Sequence, residues 1–380
     1  MKRMGRSLIA LIAGWLLGAG LAYGQAAAEA KVPLAEEVFK NIQVLKGIPV
    51  DEFMSTMGIF SAALGMSCEN CHAADDRDWA NYAGDNTPKK RTARGMVMMM
   101  AAINKNYFAG RQVVTCYSCH RGGDHPKTTP NLDTIYGHPP EEEEDDIVVQ
   151  DPKAPTVEQI LDKYIQARGG AQRLASLTSY IAKGTSAGYG PESEPRPLEI
   201  YAKAPAQRAT IIHTRSGDNT ITFDGRVAWH AEPLRPVTVL PLTGGELDGA
   251  KLDAEMAFPA QIKQVLTKWR VGRTSIVNDR KVQVVQGATA SGAIATLYFD
   301  DESGLLVRVL RYANSPVGRI PTQIDYSDYR DVGSIKMPFK WTFGWLDGRE
   351  NVELASIQPN VPIDPAKFAK PAPPVEPAKR

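Results

Sequence analysis

Cysteine is scarce in this chain. There are 4 in 380 residues, and all of them fall in two short runs, at 68–72 and 116–120. No cysteine stands near the start, which excludes a lipid-bearing N-terminal thiol. Net charge is nearly absent as well. The 44 basic and 43 acidic side chains leave a formal charge of +1, so no chain-wide field for nucleic acid or a membrane surface is implied. The one long apolar run, residues 8–22, is short for a spanning helix. A catalytic constellation is missing too: His213 and His230 stand isolated in the sequence, with no serine or carboxylate motif beside them.

What is present begins with an export signature. Lys2, Arg3 and Arg6 precede the apolar run, and Ala22-Tyr23-Gly24 supplies small residues before Gln25. This layout reads as a signal peptide over 1–24, with 26–28 as a second cleavage option. Kept uncleaved, the same run would anchor the chain, so the expected location is the periplasm, free or membrane-associated.

The chemistry is concentrated in Cys68-Glu69-Asn70-Cys71-His72 and Cys116-Tyr117-Ser118-Cys119-His120. Each has the C-x-x-C-H form that attaches haem covalently. Two thiols three positions apart, Cys68 with Cys71 and Cys116 with Cys119, add to the two vinyl groups of one porphyrin. The histidine that follows, His72 or His120, becomes the proximal iron ligand. A zinc ribbon would hold its two pairs about 15–20 residues apart and gives no reason for either histidine. A thioredoxin-like pair requires a βαβ unit, and none is visible. The expectation is two covalently attached haem c groups.

Around the motifs the pattern is helical. Val38, Ile42 and Leu45 fall on one face, ended by Gly47-Ile48-Pro49. A second helix starts near Pro49 or Asp51, carries Phe53, Met57, Phe60 and Leu64 on one side, and closes at Gly65. Residues 73–86 read as a loop covering a haem edge. Thr87 and Pro88 predict an N-cap and first helical position for a helix to about Asn106, with Met96, Met99 or Met100, Ile103 and Tyr107 on one face. A sixth iron ligand is needed, and a thioether raises the reduction potential. By position, Met54, Met57 and Met66 compete at the first haem, and Met96, Met98, Met99 and Met100 at the second. Lys89, Lys90, Arg91 and Arg94 suit haem propionates or an acidic redox partner as well as a solvated face. His125 and His138 read as solvated loop histidines.

The run Gly47-Ile48-Pro49-Val50-Asp51-Glu52-Phe53-Met54-Ser55-Thr56-Met57, followed by the first motif, resembles the cytochrome c subunit of photosynthetic reaction centres. So do Thr92-Ala93-Arg94-Gly95-Met96, the stretch to Asn104, and Val114-Thr115 leading through the second motif to Arg121-Gly122-Gly123. The resemblance implies axial methionines at Met57 and Met96. It also implies electron transfer to a membrane-bound reaction centre. Familiar members hold four haems and take a further histidine ligand after the Asn104 position; residues 105–110 here contain none. The chain looks like a two-haem half of that subunit.

Residues 139–155 combine Pro139-Pro140, an acidic run at 141–146 and Asp151-Pro152-Lys153-Ala154-Pro155, the composition of a linker. They separate a two-haem domain at 31–138 from a second domain at 156–368, with a Pro-rich, disordered tail at 369–380. The second domain opens with a helix bearing Ile160, Leu161, Tyr164 and Ile165. Strands are expected at 180–188, 198–203, 208–214, 220–223 and 227–230, then helix over 246–269 broken at Pro259. Further strands follow at 270–276, 281–286, 293–299, 305–312, 322–329, 336–343 and 352–358. The fold class is therefore multidomain: a mainly α multihaem module, then an α+β domain with a curved, half-barrel-like antiparallel sheet. Tyr298-Phe299-Asp300-Asp301-Glu302-Ser303-Gly304-Leu305-Leu306-Val307 resembles the hairpin of LolA-like lipoprotein carriers, which implies an acyl-chain or lipid ligand. The function expected is an exported di-haem electron carrier rather than an enzyme, with redox proteins as partners. The alternative is a lipid- or lipoprotein-binding protein whose haems sense redox state or staple the fold. A third is an oxidoreductase acting at an open haem.

Overall fold

Proline and two carboxylates open the first long helix. In the computed structural model, which describes residues 31–72, 79, 81–130, 132, 137, 147–188 and 194–373, α1 (Ala35–Val38) precedes α2 (Val50–Leu64). Pro49 is the N-cap of α2, and Asp51 and Glu52 fill its first turn, where negative charge complements the helix dipole. The helix expected to continue through Leu45 stops at Val38. Phe39 is extended, and Asn41 and Leu45 take φ of 61° and 60°. The Asn41 amide donates instead to the Ala83 carbonyl at 2.7 Å, a side-chain alternative that competes with helix.

Helix α3 (Pro88–Tyr107) begins at Thr87 and Pro88 as expected. The Thr87 hydroxyl does not cap it, however, but donates to the Cys71 carbonyl at 2.6 Å. Its buried face is Val97, Met100 and Asn104. Of the residues expected to share one face, Met96, Met99 and Tyr107 are exposed, while Met100, the alternative to Met99, is buried. The helix is rotated so that the Asn104 amide can serve buried backbone, described below. The short helix α4 (Cys116–His120) follows.

Thr156 and Gln159 form a reciprocal cap that starts α5 (Val157–Ala167), with α6 (Ala171–Ala175) after it. Strands β1 (Ser179–Gly188), β2 (Arg196–Lys203), β3 (Gln207–Thr214), β4 (Gly217–Phe223), β5 (Ala228–Ala231) and β6 (Val239–Pro241) come next. They lead to α7 (Gly244–Met256) and α8 (Ile262–Val265). The chain closes with β7 (Thr267–Val271), β8 (Ser275–Val277), β9 (Arg280–Ala288), β10 (Ile294–Asp300), β11 (Leu306–Ser315), β12 (Gly318–Val332), β13 (Ile335–Trp345) and β14 (Gly348–Pro359).

The strands form one antiparallel sheet, ordered β6-β5-β4-β3-β2-β1-β14-β13-β12-β11-β10-β9-β7, with β8 also on β9. Its ends, β6 and β7, do not pair, so the curved sheet stays open. β6 has no counterpart among the expected strands. The helix expected over 246–269, broken at Pro259, forms as α7 and α8 but is corrected at its end: it stops at Val265, and Thr267–Val271 is strand, because Thr267, Arg270 and Val271 pair with β9. Pro259 breaks the helix and β-favouring Thr267, Trp269 and Val271 complete the change.

Alternate positions along the strands bury Ala182, Leu198, Ile200, Leu297 and Val309 against Leu161 and Tyr164 of α5 and Ile262 of α8. Each such Leu or Ile contributes about 1.5–3 kcal/mol on burial. A smaller cluster joins Ile59 and Ala63 of α2, Val97 and Met100 of α3, and Val317 and Ile320 at the β11–β12 turn. Residues Val32–Arg380 are one compact unit. The export segment at 1–24, His138, the acidic run at 141–146 and the tail beyond 373 lie outside the described residues.

Candidate haem-binding site

Both cysteine motifs are wound into a turn by the same device. At the first, a 3-10 turn spans Cys68–Asn70, and the Asn70 Oδ1 accepts from the Ser67 N–H at 2.9 Å. At the second, the Ser118 Oγ accepts from the Thr115 N–H at 3.0 Å, and the Thr115 Oγ1 accepts from the Ser118 N–H at 3.3 Å. The residue before the second cysteine thus ties back to the residue before the first. The Cys71 and His72 N–H groups both donate to the Cys68 carbonyl, at 3.1 and 3.0 Å. Cysteines three apart in such a turn lie on one side of it.

The histidines share a second device. His72 Nδ1 is 2.9 Å from the Tyr82 carbonyl, and His120 Nδ1 is 3.1 Å from the Gly123 carbonyl. A carbonyl at Nδ1 fixes the proton there and leaves Nε2 as the ligating nitrogen. Burial holds the His72 imidazole below its ordinary range; the Lys90 and Arg94 charges add to this, against the Tyr82 hydrogen bond. It is therefore neutral at neutral pH, as an iron ligand must be.

All four cysteines are free of disulfides. Burial pushes the Cys116 thiol up to about 11 and raises Cys71 as well. Among the described residues no three His, Cys, Asp or Glu side chains converge on one point, so the two pairs do not share a tetrahedral ion. The donor set fits covalently held haem.

The methionines sort by environment. Met54, Met57 and Met66 are half-buried, and the Met66 sulfur lies 3.7 Å from Lys89 Nζ. Met100 is 5% exposed and packs in the smaller core. Met96, Met98 and Met99 are 43%, 61% and 49% exposed.

The basic cluster is engaged within the chain. Lys90 Nζ donates to the Tyr82 and Gly84 carbonyls at 2.6 and 2.8 Å. Arg91 donates to the Asp85 carbonyl at 2.9 Å, and Arg94 pairs with the Asp85 carboxylate at 2.7 Å. These contacts clamp the 81–85 turn, whose Tyr82 ring stacks on His72 at 4.8 Å and meets Trp79 edge-on at 5.2 Å. His125 is exposed, as expected. His213 is not isolated: its Nδ1 is 2.7 Å from the Asp218 carboxylate, across the β3–β4 pair.

Two supports of the site carry no motif. The buried Asn104 amide donates to the Val114 carbonyl at 2.7 Å, and its Oδ1 accepts from the Val113 and Val114 N–H groups at 3.1 and 2.9 Å. It thereby fixes the strand-like lead into the second motif. The Cys116 N–H donates to the Val317 carbonyl at 3.3 Å, and the Gln112 amide to the Ser315 carbonyl at 2.8 Å. Asn104 could have been suspected as an amide inside an apolar helix face; the β11–β12 contacts leave no local signal.

Residues 20–151 match the family model described as photosynthetic reaction centre cytochrome C subunit. The reaction centre cytochrome c subunit of Thermochromatium tepidum is 36% identical over 105 residues, 27% of this chain and 25% of that protein. That of Roseobacter denitrificans is 34% identical over 96 residues, 23% and 25% of the two. The chain thus matches about a quarter of the length of these curated relatives. A LolA superfamily protein of Nitrosomonas europaea, 14% identical, covers 57% of this chain and 99% of its own with a TM-score of 0.40. The stretch that carries both haem motifs is homologous, at modest identity and over part of each protein, to the cytochrome c subunit of photosynthetic reaction centres.

Proposed function

We propose that this chain is an exported c-type electron carrier with two covalent haems, delivering electrons to a membrane-bound acceptor of the reaction-centre kind. One observation carries the reading: two C-x-x-C-H turns, each with free thiols and a histidine whose Nδ1 is held by a backbone carbonyl. Cys68 and Cys71 hold one haem and Cys116 and Cys119 the other. His72 and His120 would supply one iron ligand each through Nε2, and Met57 and Met96 would supply a thioether to the same irons. When bound, each haem supplies a one-electron iron couple. The protein orients both imidazoles through carbonyls at Nδ1, and burial favours the neutral form of His72. Irons held by a histidine and a thioether would suit electron transfer rather than catalysis.

The basic start and apolar run at 2–22 support export. The sheet residues 156–368 form a platform beneath the haem segment, and 139–155 connects the two. The apolar face that a lipid would require is packed by α5, α7 and α8, which favours the carrier reading over the lipid-binding one.

The test is flash-induced absorbance of the haem α-band in native membranes. Rapid haem oxidation that disappears when this chain is deleted supports donation to a photo-oxidised centre. A haem-containing chain that stays reduced after the flash overturns that partner.

A further inference from the structure

The two histidines are held by unequal carbonyls. The Gly123 carbonyl, which takes His120 Nδ1, receives no side-chain cation among the described residues. The Tyr82 carbonyl takes His72 Nδ1 at 2.9 Å and also Lys90 Nζ at 2.6 Å. Lys90 is held there by a second carbonyl, Gly84, at 2.8 Å, and its side chain is 15% exposed. Its nearest carboxylate, Asp85, is 3.9 Å away and pairs more closely with Arg94, at 2.7 Å.

We infer that Lys90 is a positioning residue that makes the first haem the higher-potential member of the pair, acting through the Tyr82 carbonyl. The inference rests on the proposed two-haem carrier. A proximal histidine gains basicity when its Nδ1–H is drawn toward a strong acceptor. A carbonyl already bound by an ammonium is a weaker acceptor, because the cation withdraws its electron density. His72 is therefore a poorer donor to iron than His120. The half-buried positive charge near it disfavours the oxidised, more positive state further. Both effects have the same sign, and at the second motif no side-chain cation bonds the carbonyl that takes His120, among the described residues. The first site is the better electron sink.

The test is an optical redox titration of the intact, haem-loaded chain and of Lys90→Met, Lys90→Gln, Lys90→Arg and Lys105→Met. The parent should titrate in two one-electron steps. Lys90→Met and Lys90→Gln should shift only the higher step, downward by about tenfold in the reduction equilibrium, which is about 59 mV for one electron. Lys90→Arg should restore most of the loss. Lys105→Met removes an exposed charge from the same helix and should move neither step. Low-spin spectra unreactive to carbon monoxide in every variant would show that the ligands are kept, so that the shift is not a collapsed loop. An unmoved higher step, a shift of the lower step instead, or failure of Lys90→Arg to restore it would overturn the inference while leaving the carrier reading intact. A parent chain without haem would overturn both.

Discussion

Gly65 and Gly122 lie against each other. A Cβ built on Gly65 would come within 2.3 Å of the Gly122 carbonyl oxygen, and both residues are left-handed, with φ of 62° and 80°. Gly65 ends α2 three residues before Cys68, and Gly122 follows His120 by two. The Gly122 N–H donates to the Ala63 carbonyl at 2.9 Å. The entrance to one haem motif is thereby fastened to the exit from the other, and the pair forms a single unit.

Gly65→Ala should break that fastening. The side chain meets backbone, which cannot step aside, and the left-handed conformation itself costs about 1–2 kcal/mol for a residue with a Cβ. A loss of about 2–4 kcal/mol is expected in chemical unfolding. A variant as stable as the parent would mean that the two turns separate freely.

Asn104→Ala should act on the second motif alone. It leaves the Val114 N–H and carbonyl without their side-chain partner, at about 1–3 kcal/mol for each that stays dry, while the Val113 N–H keeps the Arg111 carbonyl at 3.0 Å. The lead into Cys116 should loosen and haem attachment at Cys116 and Cys119 should fall, with the first motif still loaded. Mass spectrometry of peptides from each motif reads this directly; equal loss at both would show a global effect.

Met57→Ala and Met96→Ala should each open one haem to carbon monoxide. Reduced-minus-carbonyl difference spectra report the opened site, and the midpoint potential of that haem should drop, because a thioether stabilises the reduced iron. If neither variant binds carbon monoxide, the distal ligands lie elsewhere among the methionines.

The junction of α2 with α7 should respond to pH. The Asp51 carboxylate accepts from the Thr243 N–H and hydroxyl, the latter at 2.9 Å, at the start of α7. Burial pushes Asp51 above its ordinary range despite those bonds, and burial raises neighbouring Glu52 with help from the Asp51 charge. Folded values above unfolded ones mean that the folded chain binds more protons. The stability these groups add is fully present below the unfolded values, 3.8 and 4.5, and is lost as pH rises through the raised ones. Asp51→Asn should therefore lose less stability than the parent as pH is brought from about 4 to 7. Urea midpoints across that range test it; parallel curves for the two proteins would contradict it.

What the sequence disclosed, it disclosed locally. Thr87 and Pro88 mark the start of α3, Gly65 the end of α2, and Asp300 to Gly304 the β10–β11 hairpin, where the Asp300 carboxylate accepts from the Ser303 N–H and hydroxyl. The period-2 strands and the open antiparallel sheet follow the same way. Residues 39–47 misled, because Ile42 and Leu45 keep helical spacing while Asn41 is drawn to Ala83. The face of α3 misled because five apolar residues in succession, Met96 to Met100, suit several rotations. The seating of the haem segment on the sheet could not be read at all. Ser55 meets Glu246 across 191 positions, and Gln112 meets Ser315 across 203; each pair is an ordinary polar contact with no local pattern.

The most direct measurement is the haem content of the chain purified from its host, by pyridine haemochrome absorbance against protein and by intact mass. The account predicts two haems per chain, resistant to acid–acetone extraction, with Cys68→Ala and Cys116→Ala each reducing the count to one. A chain with no covalent haem, or with cysteines recovered as free thiols or zinc thiolates, would contradict it.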